Sequence, residues 1–442
     1  MNKKWLVFAL LTVCLITFRG HTAFLAEESE SKEKTYVCVS RVEVPCPPIS
    51  KRELNVKFPN LIIDKLGNPV VFWNEEEEVN TSGQYQYSAY CAFLKAQKFS
   101  KELLCRSATG YPPESWINES NVQRETDGNI TFVFCEYNES ARYWNKVRWK
   151  SWNGESWVNE KETVLPNYTN MEFKTENLKP FAQCQYYYHA YPLIVLKKGG
   201  TNFIAIAGFC KRFLMLQRIF AGHGGEELYV CAEKNLFMEW DGSAWKNLTR
   251  ITDRGKFSSL QTLAAMDRKA NVYVVWLDDR AGKDAVYVSI NAGTNKRIRS
   301  YKARHEKYLC LIGLYVDKES KVYIFWEELI LPWMNRVQES SALYFRRYDG
   351  TEWGEITKML SDYDFASVDV TPDGVIHLIY KQGSNIIYNK VPQDAEPHEV
   401  ILQRDAEKQI KLVGRVDDQN NIHLITQILD ESPIYQKFIL KK

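Results

Sequence analysis

The chain of 442 residues carries 57 lysines and arginines against 55 aspartates and glutamates, a net charge of +2. This balance excludes the extended basic surface that nucleic-acid binding requires. Hydrophobic residues make up 45% of the chain and charged residues 25%, which is typical of a globular protein and excludes a disordered one.

The N-terminus has the pattern of a signal peptide. Asn2-Lys3-Lys4 precedes an apolar run from Trp5 to Phe18, which is too short to span a bilayer comfortably. We expect residues 1–26 to be cleaved, with a retained anchor as the alternative, and the mature chain to be secreted or extracytoplasmic without a membrane span. Residues 27–35 are strongly charged and are predicted to form a mobile leader.

A repeated unit organises residues 36–442, which we assign to one domain. A polar turn is followed by a β-branched and aromatic run, as in Asp317-Lys-Glu-Ser-Lys-Val-Tyr-Ile-Phe-Trp326. Similar runs end at Trp73, Phe134, Ile206, Trp276, Tyr380 and Thr426, roughly 46 to 72 residues apart. Repeats of this period with several strands each predict an all-β fold, a single β-propeller with seven blades, or six if one unit is misread.

The two ends of the chain are predicted to meet. Tyr36 to Val44 alternates as a strand and is stopped by Pro45-Cys46-Pro47-Pro48. The last unit ends near Leu440. We therefore expect the N-terminal strand to pair with the final blade, which would protect an otherwise exposed sheet edge.

Nine cysteines follow the predicted signal peptide. In a secreted chain they indicate disulfides, and the odd number leaves one thiol over. The short-range pairs Cys38–Cys46, Cys91–Cys105 and Cys210–Cys231 are predicted, followed by Cys135–Cys184, although sequence alone does not fix connectivity. Cys310, inside an apolar strand, is the expected unpaired and buried thiol. The spacing does not favour a zinc site.

Six Asn-x-Ser/Thr sequons lie on predicted turns or loops, where a glycan could project: Asn80, Asn118, Asn129, Asn138, Asn167 and Asn247. The alternative is that they are unused sequons of a bacterial protein.

A second part of the repeat predicts tight hairpins. Lys146-Val-Arg-Trp-Lys-Ser-Trp-Asn-Gly-Glu-Ser-Trp157 matches Leu343-Tyr-Phe-Arg-Arg-Tyr-Asp-Gly-Thr-Glu-Trp353, and Leu236 to Trp245 is a third copy. Together with Trp276-Leu-Asp-Asp-Arg-Ala-Gly-Lys-Asp-Ala-Val-Tyr287, these motifs resemble secreted propellers of the sialidase-like superfamily with BNR-type repeats. The resemblance is at the level of the repeat and implies a fold more than a function.

The resemblance also implies what a working enzyme would contain. Sialidases pair a Tyr nucleophile with a Glu, add an Asp acid/base and hold the substrate carboxylate with three arginines. This chain lacks a Phe-Arg-Ile-Pro-like start at its first blade, and three arginines do not match the family motif. Catalytic residues are therefore left unassigned.

Acidic residues recur just after the repeated strand. Glu75, Glu136, Asp278 and Glu328 each stand two positions beyond its aromatic end. With Asp279 and Glu327 they define a hypothetical acidic face that binds a basic partner or a cation such as calcium, although no metal-ligand motif assigns a metal. Arg280 is expected to pair with a neighbouring acid, and the alternative for the whole set is a solvated loop with incidental charges.

The loop after Glu328 is apolar. Leu329-Ile-Leu-Pro-Trp333-Met would either contact a partner through Trp333 or pack back over its blade. We therefore expect a secreted, non-catalytic propeller that binds an extracellular protein or glycan, without a cofactor. The alternatives are a sialidase-like glycoside hydrolase and a structural surface protein.

Overall fold

A computed structural model describes residues 36–48, 59–80, 84–106, 122–124, 128–138, 143–164, 185–199, 202–215, 228–240, 245–250, 259–278, 285–291, 293, 296–300, 307–330, 340–391, 398–406 and 408–441. Within them, 28 β-strands form seven four-stranded antiparallel sheets. None of these residues forms a helix with the length and hydropathy needed to span a bilayer.

Six sheets, here called blades 1 to 6, each consist of four strands consecutive in the chain. Their strands are β2 (Asn60–Ile63), β3 (Pro69–Asn80), β4 (Gln84–Lys95) and β5 (Lys98–Arg106) in blade 1; β6 (Val122–Arg124), β7 (Ile130–Asn138), β8 (Tyr143–Trp152) and β9 (Trp157–Val164) in blade 2; β10 (Gln185–Gly199), β11 (Asn202–Met215), β12 (Leu228–Trp240) and β13 (Trp245–Arg250) in blade 3; β14 (Ser259–Met266), β15 (Val272–Asp278), β16 (Ala285–Ile290) and β17 (Lys296–Ser300) in blade 4; β18 (Lys307–Val316), β19 (Val322–Ile330), β20 (Ser340–Tyr348) and β21 (Thr357–Ser361) in blade 5; and β22 (Phe365–Val370), β23 (Ile376–Gln382), β24 (Asn385–Val391) and β25 (His398–Gln403) in blade 6.

The remaining sheet, blade 7, joins both ends of the chain. Strands β26 (Gln409–Val416), β27 (Ile422–Ile428) and β28 (Ile434–Leu440) are completed on the outer edge by β1 (Tyr36–Glu43). Strand β1 pairs antiparallel with β28, from Tyr36 opposite Leu440 to Glu43 opposite Ile434. The predicted pairing of the two ends is confirmed.

The propeller prediction is also confirmed. Each of the seven repeat units supplies the second strand of one sheet, namely β3, β7, β11, β15, β19, β23 and β27. The first strands of successive blades lie side by side, as β14 does by β18, β18 by β22, β22 by β26 and β26 by β2. Sheets packed face to face around a ring bury the β-branched and aromatic residues of these strands between blades.

The repeated tryptophans form this interblade core. Trp326 is fully buried against blade 4, in a cluster with Val275, Val288 and Ile298. Trp73 is buried in the same way against Val413 of blade 7. Trp73 and Trp326 are therefore architectural.

Candidate functional site

The two faces of the ring differ in how their connections are built. Strand β2 ends at Ile63 and β3 begins at Pro69, which leaves five residues between them. The first and second strands are joined by five residues in six of the seven blades: 64–68, 125–129, 267–271, 317–321, 371–375 and 417–421. Because antiparallel strands alternate in direction, these connections share one face, here called the turn face.

The opposite face, here called the loop face, carries connections of very different length. Those between second and third strands range from two residues (383–384) to twelve (216–227). Those between one blade and the next range from three residues (362–364) to twenty (165–184). The turn face also carries the connections between third and fourth strands, which have two (96–97) to eight (349–356) residues, so all connections longer than eight residues are on the loop face. Long, variable loops on a rigid scaffold are where specificity usually resides.

The repeated aspartates build the turn face. Asp317 Oδ1 accepts hydrogen bonds from Glu319 N at 2.9 Å and Lys321 N at 2.8 Å, while Ser320 adopts φ 67°. Asp64, Asp267 and Asp417 each accept the same pair of backbone hydrogen bonds. The repeated turn aspartate is therefore a structural residue, because its carboxylate is used by the backbone of its own turn.

The hairpins of the second motif behave similarly. Asn153 Oδ1 accepts from Glu155 N at 2.9 Å and Ser156 N at 2.8 Å, and Asp349 Oδ1 accepts from two amides in the same way. Trp157 packs edge-on against Phe132 of its own blade and Phe93 of the neighbouring blade. Trp157 therefore packs in the core between blades 1 and 2.

Glu75, a candidate of the acidic face, is buried and internally paired. It lies on the loop-face side of Trp73 and accepts a hydrogen bond from the Trp73 indole at 2.7 Å. The ammonium of Lys101, on the outermost strand of the same blade, lies 2.5 Å from Glu75 Oε1. Lys101 Nζ also lies 3.9 Å from the ring centroid of Tyr90, which stacks on Trp73. The four side chains form a stack of two rings, a cation and a carboxylate.

Glu328 forms a related stack at the joint of blades 4 and 5. Arg299 on β17 donates to Glu328 Oε1 through Nε at 3.1 Å and through Nη2 at 3.0 Å. Its guanidinium lies 6.0 Å from the ring centroid of Tyr344, and Tyr344 stacks on Trp326 with a centroid separation of 6.0 Å. The chain itself thus supplies a cation to Glu75 and to Glu328.

Glu327 faces the next joint, between blades 5 and 6. The Tyr363 hydroxyl donates to Glu327 Oε1 at 2.6 Å. Burial raises the pKa of Glu327, and the hydrogen bond from Tyr363 opposes that shift. Tyr363 is only 4% exposed and packs with Phe325 and Leu378 in the core between these blades.

The other predicted face residues are located only in part. Glu136 is opposite Lys146 in the β7–β8 register, and Asp278 is opposite Ala285 in the β15–β16 register. Asp279, Arg280 and Trp333 lie outside the described residues. Among the residues that the structure describes, no cluster of side chains could hold a metal ion.

Two predicted disulfides do not form. Cys38 is an exposed free thiol on β1, whereas Cys46 is buried in the core cluster beside Trp73. Cys91 is a free, fully buried thiol opposite Glu102, while Cys105 is opposite Ala89. Short sequence separation was a poor guide, because strand register decides which side chains meet.

The remaining cysteines have different outcomes. Cys310 is half-buried rather than fully buried, and its Sγ lies 3.8 Å from the Leu311 carbonyl oxygen. Cys210 and Cys231 lie on paired strands, opposite Glu233 and Arg212 respectively, so their bridge stays a prediction. Cys135 is on β7, and Cys184 lies outside the described residues.

The sequons differ in placement. Asn80 and Asn138 are the last residues of β3 and β7 on the loop face, and Asn129 lies in a turn where Lys65 Nζ donates to its Oδ1 at 3.3 Å. Asn247 lies inside β13 instead of on the predicted turn or loop. Asn118 and Asn167 lie outside the described residues.

Sequence reasoning missed the partners of these acids. Lys101, Arg299 and Tyr363 stand 26, 29 and 36 residues from the acids they bind, so no local spacing relates them. The only sequence signal was the recurrence of Glu two positions after Trp.

Comparison with known proteins shows likeness at the level of fold. No family model and no curated protein matches the chain. Similar solved structures include a protein of unknown function from Dyadobacter fermentans (12% identity, TM-score 0.42) and the polysaccharide lyase Uly1 (7% identity, TM-score 0.44), each match covering 92% of this chain and 99% of that chain. The Penicillium chrysogenum α-L-arabinanase in complex with arabinobiose is 10% identical with a TM-score of 0.37, over 91% of this chain and 98% of that chain. These structures include carbohydrate-active propellers, but at such identities and scores they carry no argument about activity.

Proposed function

We propose that the protein is a secreted, non-catalytic binding module that recognises an extracellular protein or glycan through the loop face of its propeller. The observation that carries this proposal is the asymmetry of the ring. Connections on the turn face have at most eight residues, whereas those on the loop face reach twenty. Short turns build a scaffold, and long, variable loops on a rigid scaffold are where recognition usually resides.

The ion pairs of the loop face favour recognition through the loops over recognition through unpaired carboxylates. Glu75 and Glu328 already hold Lys101 and Arg299 within 3.0 Å. A basic ligand would have to displace these cations from their aromatic stacks, which costs the stack as well as the ion pair. We therefore assign partner contact to the connections themselves, including the segment 331–339 that contains Trp333.

The test compares one substitution on each face. Trp333→Ala alters the loop face, and Leu66→Ser alters a side chain on the turn face that is 57% exposed. The full chain is applied to a glycan array and to a panel of extracellular proteins. We expect Trp333→Ala to weaken binding at least about tenfold and Leu66→Ser to leave it unchanged. Equal loss in both variants, or no binding on either panel, would contradict the proposal.

A glycoside hydrolase is the second candidate, and one observation favours it. Tyr363 and Glu327 form a Tyr–Glu pair on the loop face, with a separation of 2.6 Å. A phenol activated by a carboxylate is a competent nucleophile when substrate can reach it. Burial of Tyr363 at 4% exposure favours packing over catalysis.

Turnover separates the two candidates. Fluorogenic sialosides, neutral glycosides and arabinobiose are incubated with the wild type, Tyr363→Phe and Glu327→Gln. The binding proposal expects no turnover by any of them. Turnover by the wild type that both variants abolish would identify a hydrolase instead.

A further inference from the structure

Two buried histidines occupy the blades that β1 joins. His377 on β23 is 1% exposed, and its Nδ1 lies 2.8 Å from the Tyr388 hydroxyl. His423 on β27 is fully buried, with Nδ1 at 2.8 Å from the Tyr435 hydroxyl and Nε2 at 3.1 Å from Asp417 Oδ2. Blades 4 and 5 carry Tyr273 and Tyr323 at the equivalent strand position, so the histidines are particular to the closing end of the ring.

Strand β1 lies against the tyrosine partners of both histidines, with Val42 opposite Tyr435 in the β1–β28 register. The Tyr36 ring on β1 lies edge-on to Tyr388 at a centroid distance of 5.4 Å. Tyr36 also packs against the apolar cluster between blades 6 and 7, which contains Leu424 and Phe438. Release of β1 would therefore expose Tyr388, the partner of His377, to water.

The charges around the histidines determine how they respond to acid. Lys390 on β24 and Asp373 in the preceding turn face His377. Burial, with Lys390 adding to it, lowers the pKa of His377 to about 4.

A different set of charges faces His423. It comprises Asp417 from the turn, Lys437 from β28 and Asp369 from β22 of blade 6. Burial lowers the pKa of His423 as well, although Asp417 opposes that shift through its hydrogen bond and charge.

We propose that ring closure is acid-sensitive. Protonation of His377 and His423 releases the β1 seam, the pairing of β1 with β28 and its packing against Tyr388, in mildly acidic solution while the other blades stay folded. The histidines are neutral in the closed ring and take up protons when hydrated. This device operates independently of what the loop face binds.

The direction of the effect follows from linkage. A hydrated histidine has a pKa of about 6.5, so the open state binds more protons than the closed state between about pH 6.5 and pH 4. The closed β1 seam is fully stable above this pH window and loses stability as the pH falls through it. Below the window, His377 causes no further loss of stability. A full shift at His377 alone raises the opening equilibrium about 30-fold between pH 7.5 and pH 5.

Hydrogen–deuterium exchange of the full chain tests the proposal. Amide protection is compared at about pH 7.5 and pH 5 after correction for intrinsic exchange rates. We expect Tyr36–Glu43 and Ile434–Leu440 to lose protection about 30-fold at the lower pH. Blade 5 carries Tyr323 at the position where blades 6 and 7 carry histidine, so its outer strand β21 should keep its protection. An equal change in β21, or no change in β1, would overturn the proposal.

Two variants separate titration from simple loosening. His377→Gln should abolish most of the pH dependence, whatever its effect on protection at neutral pH. Lys390→Gln removes a cation facing His377, so the pKa of His377 rises and the pH response becomes smaller. A response in either variant as large as in the wild type refutes the proposal, and Lys390→Gln decides the matter if His377→Gln does not fold.

Discussion

Removal of the Asp317 carboxylate tests whether the repeated turn aspartates hold the propeller together. Asp317 is 4% exposed and accepts hydrogen bonds from two backbone amides at 2.9 and 2.8 Å and from the Tyr323 hydroxyl at 3.1 Å. Each of these three hydrogen bonds contributes on the order of 1 kcal/mol net, so Asp317→Ala should destabilise the protein by about 3 kcal/mol. Urea unfolding followed by tryptophan fluorescence measures the change in the free energy of unfolding.

Asp349→Ala is the matched control. Asp349 Oδ1 also accepts two backbone amides, at 2.8 and 2.9 Å, but it lies in an exposed hairpin where water can replace the carboxylate. We expect a smaller loss than for Asp317→Ala, and Asp317→Asn should fall between the two because the amide oxygen can still accept both backbone bonds. If Asp317→Ala is no more destabilising than Asp349→Ala, the assignment of the buried turn as structural is wrong.

Two further substitutions test the contacts between and within blades. A Cβ on Gly414 would overlap Ile379 Cδ1 across the joint of blades 6 and 7, so Gly414→Ala should cost about 2 kcal/mol. Ile379→Val removes that methyl group and should recover part of the loss in the double variant; additive losses in a thermal-unfolding series would argue against the clash. Lys101→Met keeps the hydrophobic stem but leaves Glu75 without its cation. We expect the free energy of unfolding to fall by about 2 kcal/mol, less than for a fully buried pair because Lys101 is partly exposed. Exposed Lys98 on the same strand is the control, and an equal loss on Lys98→Met would contradict the role of the stack.

The fold was predictable because its signals are local. Each unit carries its own turn, its own strand and the apolar side chains that strand buries, so one stretch of sequence specifies one second strand. Trp73 and Trp326, which end two of the predicted runs, are buried between blades. The pairing of the chain ends was predictable for a similar reason, since a propeller is stabilised when its edges are closed.

The chemistry of the candidate site was only half predictable. The recurrence of Glu75 and Glu328 located two carboxylates on the loop face. Their partners come from the outermost strand of the same blade or of the neighbouring blade, which the sequence around each acid does not specify. An acid that the sequence presents as available for a ligand can therefore be occupied by the protein itself.

The amino-acid sequence by itself determined the repeat, the strand that each repeat forms and the meeting of β1 with the last blade. Only the tertiary structure decided that Cys38 and Cys91 are not bridged as predicted, that Glu75 and Glu328 are neutralised internally, and that the closing strand lies against the tyrosine partners of His377 and His423. The physical reason is the sequence separation over which each kind of interaction acts. Turn chemistry and side-chain alternation act over a few residues, whereas register between strands and packing between blades bring together groups tens to hundreds of residues apart.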